Sequence, residues 1–568
     1  MHRCLEIAEI FDLVVSYLDQ KSSLTSLARV SRSFNEPAIN ALYADLDNWF
    51  EFLMFLPRDL WSFGRTVTGS WLPTQILFFN RDLTEDEWLL FMARAAKVRT
   101  IGTPVVDEGY RKLGAWNTFT YDPPPNIIDG QRLVVADVSV TDSLMKCPRS
   151  LLFPNLRALT LGDGCPVEML RRFLPSGLRR LNVSNQTIQD FSSLPFSIAV
   201  LCPSMDSFIC RDVYTLGPDS LRFICDWQHL RTLQGPVYFN QKLWSYLASQ
   251  SNLSSLEIQT FDLPDWRIMR NRGRLRTVDN LSLTSGRFQD TAAALEILFG
   301  TEIVHASAAK PIVRRLTINV QPASPEYVAS KPPQSSLKGL TNALRKLLSN
   351  EDLKELHLTH ASFSYHFGIA RIPPGASSFY DALLPLTAFS NVSVVTLSAA
   401  LDNSHRFSYS QLLSLVRHWK SLEVLSVPSL LNSISLQELR ELCRVCPRLR
   451  EVDVRVIMDK NLVDCILADS EDLSHCMNNI TCLTLGHTSE EKDDIRPTAL
   501  AISRLMPRLM RVSVFGEDLS SMLFWTSVMK EAEKMSSTPK RWAVRGIVHR
   551  DMSPTLYEIT DSSWGQLM

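Results

Sequence analysis

From about residue 150 onward an apolar phrase returns along the chain, Leu-x-x-Leu-x-Leu, with Val, Ile or Phe allowed in the same slots. It is carried by Leu156, Leu159, Leu161; Leu178, Leu181, Val183; Leu253, Leu256, Ile258; Val278, Leu281, Leu283; and Val313, Leu316, Ile318. It continues through Leu353, Leu356, Leu358; Val392, Val395, Leu397; Leu422, Leu425, Val427; Leu449, Val452, Val454; Ile480, Leu483, Leu485; and Leu509, Val512, Val514. Weaker copies sit at Met205, Phe208, Cys210 and at Leu230, Leu233. The last three positions alternate apolar, polar, apolar, which is the period of a strand with one face buried. Between copies lie stretches such as Val167 to Leu174 and Leu436 to Leu442, whose apolar residues fall three and four apart as on a helix. Each unit reads strand, loop, helix. One such unit cannot cover its own apolar face, so stacking into a single solenoid is expected, with a βαβ sheet domain or two as the competing arrangement.

The first fifty residues are written differently. Ile10, Val14, Tyr17 and Leu18 recur at helical spacing, as do Leu24, Leu27 and Ala28, so each segment presents an apolar stripe about one helix face wide. Pro37 suits the first turn of a third helix, with Leu42, Tyr43 and Leu46 as its buried side. Three amphipathic helices in so short a span bury a low fraction of their surface. The surplus apolar area is expected to meet another chain.

These residues resemble the F-box, the motif that docks on the Skp adaptor of cullin-based ubiquitin ligases, and they look most like its fungal version. The family's Leu-Pro-x-Glu-Ile start corresponds to Ile7-Ala8-Glu9-Ile10, with Ala8 where the family has Pro. Its helix-ending Tyr-Leu-Asp corresponds to Tyr17-Leu18-Asp19, its Leu-x-x-Ala-x-Val-Ser core to Leu27, Ala28, Val30 and Ser31, and its closing aromatic to Phe34. The resemblance covers roughly Met1 to Asp47. The repeats in turn resemble the leucine-rich arrays that follow the F-box in many members, although copies lie from 22 residues (Leu156 to Leu178) to 40 residues apart (Val313 to Leu353). Several intervals exceed the usual period of about 20 to 29, and the usual Asn or Cys is mostly missing.

The resemblance implies an α/β chain: a three-helix F-box, then an irregular leucine-rich-repeat solenoid in which a parallel β horseshoe carries outer helices. It implies a non-catalytic substrate receptor that binds the Skp adaptor, reaches cullin and RING subunits through it, and holds a target protein on the repeats. Docking and the small helical core would draw on Leu5, Ile7, Ala8, Ile10, Val14, Leu18, Leu24, Leu27, Val30, Phe34 and Tyr43. No cofactor is expected. The alternative is a leucine-rich-repeat scaffold whose F-box-like start is only a cap and which binds a partner without ubiquitin transfer; an enzyme on a βαβ fold is a third reading. Expected boundaries are 1–47 for the F-box, 48–150 for a connecting region that caps the solenoid, 151–520 for the repeats and 521–568 for a C-terminal cap and tail.

Within the connector, Thr84-Glu85-Asp86-Glu87 matches a capping box ahead of a helix with Trp88, Phe91, Met92 and Ala95 as its buried stripe. Asp122-Pro123-Pro124-Pro125 marks an extended loop. Polar, Pro-rich insertions at Gln321 to Ser336 and around Pro373-Pro374-Gly375 read as loops, either disordered or partner-binding.

Composition narrows the function classes. A net charge of -1 gives no field to favour nucleic acid or an anionic membrane, and no apolar run has the length of a membrane span. Eleven cysteines without a regular framework suggest reduced thiols, hence cytoplasm or nucleus. Cys443-Arg444-Val445-Cys446 is a lone Cys-x-x-Cys at the end of a helical stretch, better suited to buried thiols than to zinc. His549-Arg550-Asp551 lacks the Gly-rich loop and Asp-Phe-Gly of a kinase, and Gly64 with Gly69 lacks the Lys of a phosphate loop. The Arg267 to Arg276 cluster reads either as a grip for an acidic partner or as a solvated loop.

Overall fold

A computed structural model of the chain describes residues 8–18, 20–46, 49–65, 74–102, 133–161, 167–183, 198–210, 224–235, 241–260, 275, 278–300, 310–320, 333–360, 379–399, 407–428, 433–457, 463, 477, 479–486, 495–515, 519–535, 543–550 and 553–560. These residues fall into two compact units that divide between Leu253 and Ser254. The division lies at neither of the boundaries expected near residues 47 and 150.

The first unit opens with helices α1 (Ala8–Ser16), α2 (Lys21–Val30) and α3 (Arg32–Ala44). Its strands are β1 (Asp45–Leu46), β2 (Trp61–Arg65), β3 (Thr74–Phe79), β4 (Thr100–Ile101), β5 (Leu133–Ala136), β6 (Ala158–Leu161), β7 (Arg180–Val183), β8 (Ser207–Cys210) and β9 (Thr232–Gln234). A ladder runs β1, β4, β6, β7, β8, β9 with every pairing parallel, while β2, β3 and β5 make a small mixed sheet. The register follows the apolar phrase. Leu159, Leu181, Phe208 and Leu233 stand opposite one another, so the second slot of each copy forms one buried column.

That column reaches further back than the sequence pattern suggests. Ile101 pairs with Leu159 and Leu46 pairs with Ile101, so the segment expected to be a separate connector supplies a rung, and so does the end of the segment expected to be the F-box. Tyr43 and Val98 are the corresponding buried first slots. Leu46 is therefore a strand residue, not part of the third helix.

The second unit holds β10 (Ser255–Thr260), β11 (Asn280–Ser285), β12 (Arg315–Val320), β13 (Glu355–His360), β14 (Val394–Ala399), β15 (Val424–Ser426), β16 (Ile434–Ser435), β17 (Glu451–Ile457), β18 (Cys482–Gly486), β19 (Arg511–Phe515), β20 (Ala543–Arg550) and β21 (Ser553–Thr560). Pairing from β10 to β20 is parallel, and β21 returns antiparallel on β20. Leu256, Leu281, Leu316, Leu356, Val395, Leu425, Val452, Leu483 and Val512 are in continuous register. The chain is thus an α/β protein, each unit built around a parallel ladder.

Two local devices recur. Helices Glu85–Ala95, Tyr409–Val416 and Leu436–Val445 each begin with a capping box, formed by Thr84 with Glu87, Ser408 with Gln411 and Ser435 with Glu438. Each satisfies two amide donors that the first helical turn leaves unpaired. The passage into a strand is closed by a tight turn: the amides of Val98, Leu156, Leu178, Leu422, Leu449, Ile480 and Leu509 each donate to the carbonyl three residues earlier. The stretch expected to end as a loop at Ser336 is already helical from Pro333, because Leu337, Leu340, Leu344 and Leu347 bury one face of helix Pro333–Leu347. The proline-marked loops expected at residues 122–125 and 373–375 lie outside the described residues, as do the arginines of the Arg267 to Arg276 cluster.

Candidate docking face and ladder surface

Helix α1 has two apolar sides. Phe11 and Val15 face inward, where Phe11 stacks on Phe34 of α3 at 4.4 Å between ring centroids, and Leu24 of α2 closes the cluster. Leu18, Leu27, Ala41 and Leu42 pack half-buried around it. Ile10, Leu13, Val14 and Tyr17 form a second stripe at spacing i, i+3, i+4, i+7, and it faces outward with exposures of 39, 57, 41 and 74%. Four large apolar side chains exposed together, opposite a side already occupied by the core, are more than the scattered single residues normal at a protein surface.

The placement divides the expected docking and core residues between two sides of the head and corrects the start of α3. Ile10, Val14 and Tyr17 lie on the outer side of α1, because the aromatic stack of Phe11 on Phe34 takes the inner one; Val30, at the end of α2, is 68% exposed. Leu24 and Phe34 are core residues and Leu27 and Leu18 border the core. Leu5 and Ile7 lie outside the described residues, and Ala8 is the first residue of α1. Pro37 does not open α3. Ser31 caps that helix earlier, its side chain accepting from the amide of Ser33, so Pro37 falls inside the helix. Leu13, absent from the stripe expected on sequence grounds, completes the outer one.

Tyr43 is also elsewhere. It is buried against Phe52 and Phe55, edge to face at 6.1 and 4.8 Å, with the Arg94 guanidinium 5.8 Å from its ring centre. Burial pushes its hydroxyl pKa up, and Arg94 partly offsets this. From there aromatic contacts continue through Phe52 to Phe91 and Phe153, and from Phe153 to Phe173. Since α3 ends at Ala44 and β1 begins at Asp45, the helical head joins the ladder with no intervening linker.

In the second unit, the polar slot between the last two apolar positions makes a row across the sheet: Ser282, Thr317, His357, Thr396, Ser426 and Asp453 in register. Arg315 of β12 grips Glu355 of β13 with two bonds, Nε to Oε2 at 2.5 Å and Nη2 to Oε1 at 2.9 Å. His357 lies between, with Nε2 3.7 Å from Glu355 Oε2 and Nδ1 3.0 Å from Thr396 Oγ1. Partial burial works against the Glu355 charge, but hydrogen bonds and positive charge from His357 and Arg315 outweigh it and hold the carboxyl at about 2. Asp453 is different: removal from water raises its pKa, while Ser426 and Thr484 each donate to it, at 2.6 and 2.7 Å.

Cys443 and Cys446 are buried, and burial pushes the Cys446 thiol up to about 11, so Cys446 offers no ready thiolate. Among the described residues no three or more His, Cys, Asp or Glu side chains are grouped to hold a metal ion, and no helix is long and apolar enough to cross a membrane. His549 and Arg550 sit on β20, and Gly64 on β2. Comparison with described protein families finds none that matches the chain, and comparison with curated proteins finds no match either.

Proposed function

We propose that the chain is a non-catalytic substrate receptor of a Skp, cullin and F-box ubiquitin ligase, acting in cytoplasm or nucleus. Its α1 to α3 head docks on the Skp adaptor, and its ladder is a leucine-rich-repeat array that holds a target protein. The observation that carries this reading is the outer stripe of α1, a second apolar face on a helix whose core face is already occupied. The direct passage from α3 into β1 supports it too, since a target held by a ladder fixed to the docking head is presented to the conjugating enzyme at high effective concentration.

Co-purification of the host's Skp adaptor with the full chain, and with Tyr17→Asp, tests the reading. Deleting residues 1–47 is the wrong control, because it removes Tyr43 and Leu46 from the ladder. Adaptor that follows the full chain but not the folded Tyr17→Asp variant supports the receptor; a full chain that purifies alone sinks it and leaves the repeat scaffold.

A further inference from the structure

The residue after the first apolar slot of each copy forms its own column across the ladder. In the first unit this column reads Arg99, Arg157, Arg179, Asp206, Arg231, joined rung to rung: Arg157 N–H donates to Arg99 C=O at 2.7 Å, Arg179 to Arg157 at 2.8 Å, Asp206 to Arg179 at 2.9 Å and Arg231 to Asp206 at 2.7 Å. Three arginines therefore occupy successive rungs, about 4.8 Å apart. All three are exposed, and none forms an ion pair with a described residue.

The second unit provides an internal comparison. There the same column places Asp279 beside Arg314 and Glu423 beside Arg450, and each pair closes an ion pair, at 3.1 and 3.2 Å. Like charges on facing rungs are unfavourable; the second unit does place Lys354 beside Arg314, but there Asp279 on the preceding rung pairs with Arg314. The first unit keeps three together with no acid between them.

A groove of about 1110 Å³ adjoins the column, walled by α1, α2 and α3 on one side and by the turns before β4, β6 and β7 on the other. Lys97, Arg99 and Arg157 line it beside the apolar Leu18, Pro37 and Leu42, while Glu36 and Asp45 are its acidic lining. Guanidinium forks match carboxylates two oxygens at a time, and three rungs span about 10 Å, the length of about three extended residues.

We infer that Arg99, Arg157 and Arg179, with Lys97, form a docking site for an acidic segment of a partner protein, a run of about three or more Asp or Glu residues in extended conformation. The inference rests on the receptor reading in one respect, that it names the chemistry of the target; the site itself is separate from the outer stripe of α1.

Fluorescence anisotropy of the full chain, without adaptor, tests it with three labelled peptides: one with a central Asp/Glu run, its Asn/Gln counterpart, and a neutral peptide carrying one phosphoserine. The acidic peptide is expected to bind, to weaken about tenfold or more in the Arg99→Ala, Arg157→Ala, Arg179→Ala triple variant, and to weaken with added salt. The triple variant should melt no lower than the parent, since it removes like-charge contacts. Equal affinity for acidic and Asn/Gln peptides, equal affinity in the triple variant, or binding of the phosphoserine peptide alone would each overturn the assignment. Adaptor binding is read in a different sample, so either proposal can fail without the other.

Discussion

Replacing Glu355 by Gln keeps the side chain's volume but removes the charge that Arg315 and His357 share. The fork spans two neighbouring strands, β12 and β13, and Glu355 is 28% exposed. Holding the carboxyl at about 2 against an ordinary 4.5 sets a ceiling of about 3.4 kcal/mol on its contribution. Water screening at this half-buried position lowers the expected value to about 1 to 2 kcal/mol. The sign follows from linkage: a carboxylate held low stabilises the fold above its unfolded value near 4.5, and that contribution is lost as pH falls toward about 2. Glu355→Gln should therefore destabilise at neutral pH and converge with the parent near pH 2. Because repeat arrays open locally, the loss is best read by hydrogen exchange of the β12 and β13 amides, alongside urea unfolding. A difference between parent and variant that is the same at pH 7 and near pH 2 would refute the electrostatic account, as would additivity with Arg315→Ala in a double-mutant cycle.

Two further outcomes follow from packing. Phe34→Ala empties the stack with Phe11, a change that typically costs about 3 to 5 kcal/mol, more than so small a core can absorb. Hydrogen exchange in α1 and α2 should rise while β6 to β8 keep their protection; unchanged exchange in the helices would contradict the assigned core. Gly235 has φ of +139°, and an added Cβ would lie 2.5 Å from the Cys210 carbonyl oxygen. Gly235→Ala should cost on the order of 1 to 3 kcal/mol in thermal or urea unfolding of the first unit, and a neutral effect would show that this backbone relaxes freely.

How far the sequence can be read depends on which physical rule controls each position. Slots such as Leu159, Leu181 and Leu316 are legible because a strand's alternation leaves only one face to bury, and a one-residue slip would reverse every side chain. The earliest rungs are hidden. Tyr43 with Leu46 and Val98 with Ile101 share the spacing of the phrase but lack its third apolar slot, and Tyr43 follows a helical pattern directly. On α1 the sequence shows the period but not the side, because both stripes are apolar and only the Phe11 to Phe34 stack decides which one turns inward. Pro37 suits a helix start by its φ, whereas the Ser31 cap that opens α3 lies six residues upstream, directly after the last residue of α2, where the two helices read as one continuous stretch. The arginine column is visible in principle, as Arg99, Arg157 and Arg179 each follow a first slot, but only after Val98 is recognised as one.

The central claim, that the outer face of α1 is an adaptor-binding surface, is tested most directly by titrating purified Skp adaptor against the full chain, Leu13→Asp and Leu89→Asp by calorimetry. Leu13 is 57% exposed on α1, and Leu89 is 62% exposed on helix Glu85–Ala95, so both variants should fold. Leu89→Asp should bind like the parent while Leu13→Asp loses about a hundredfold or more, since a charge would be buried unpaired at the contact. Adaptor that binds Leu13→Asp as tightly as the parent, or that does not bind the parent at all, would contradict it.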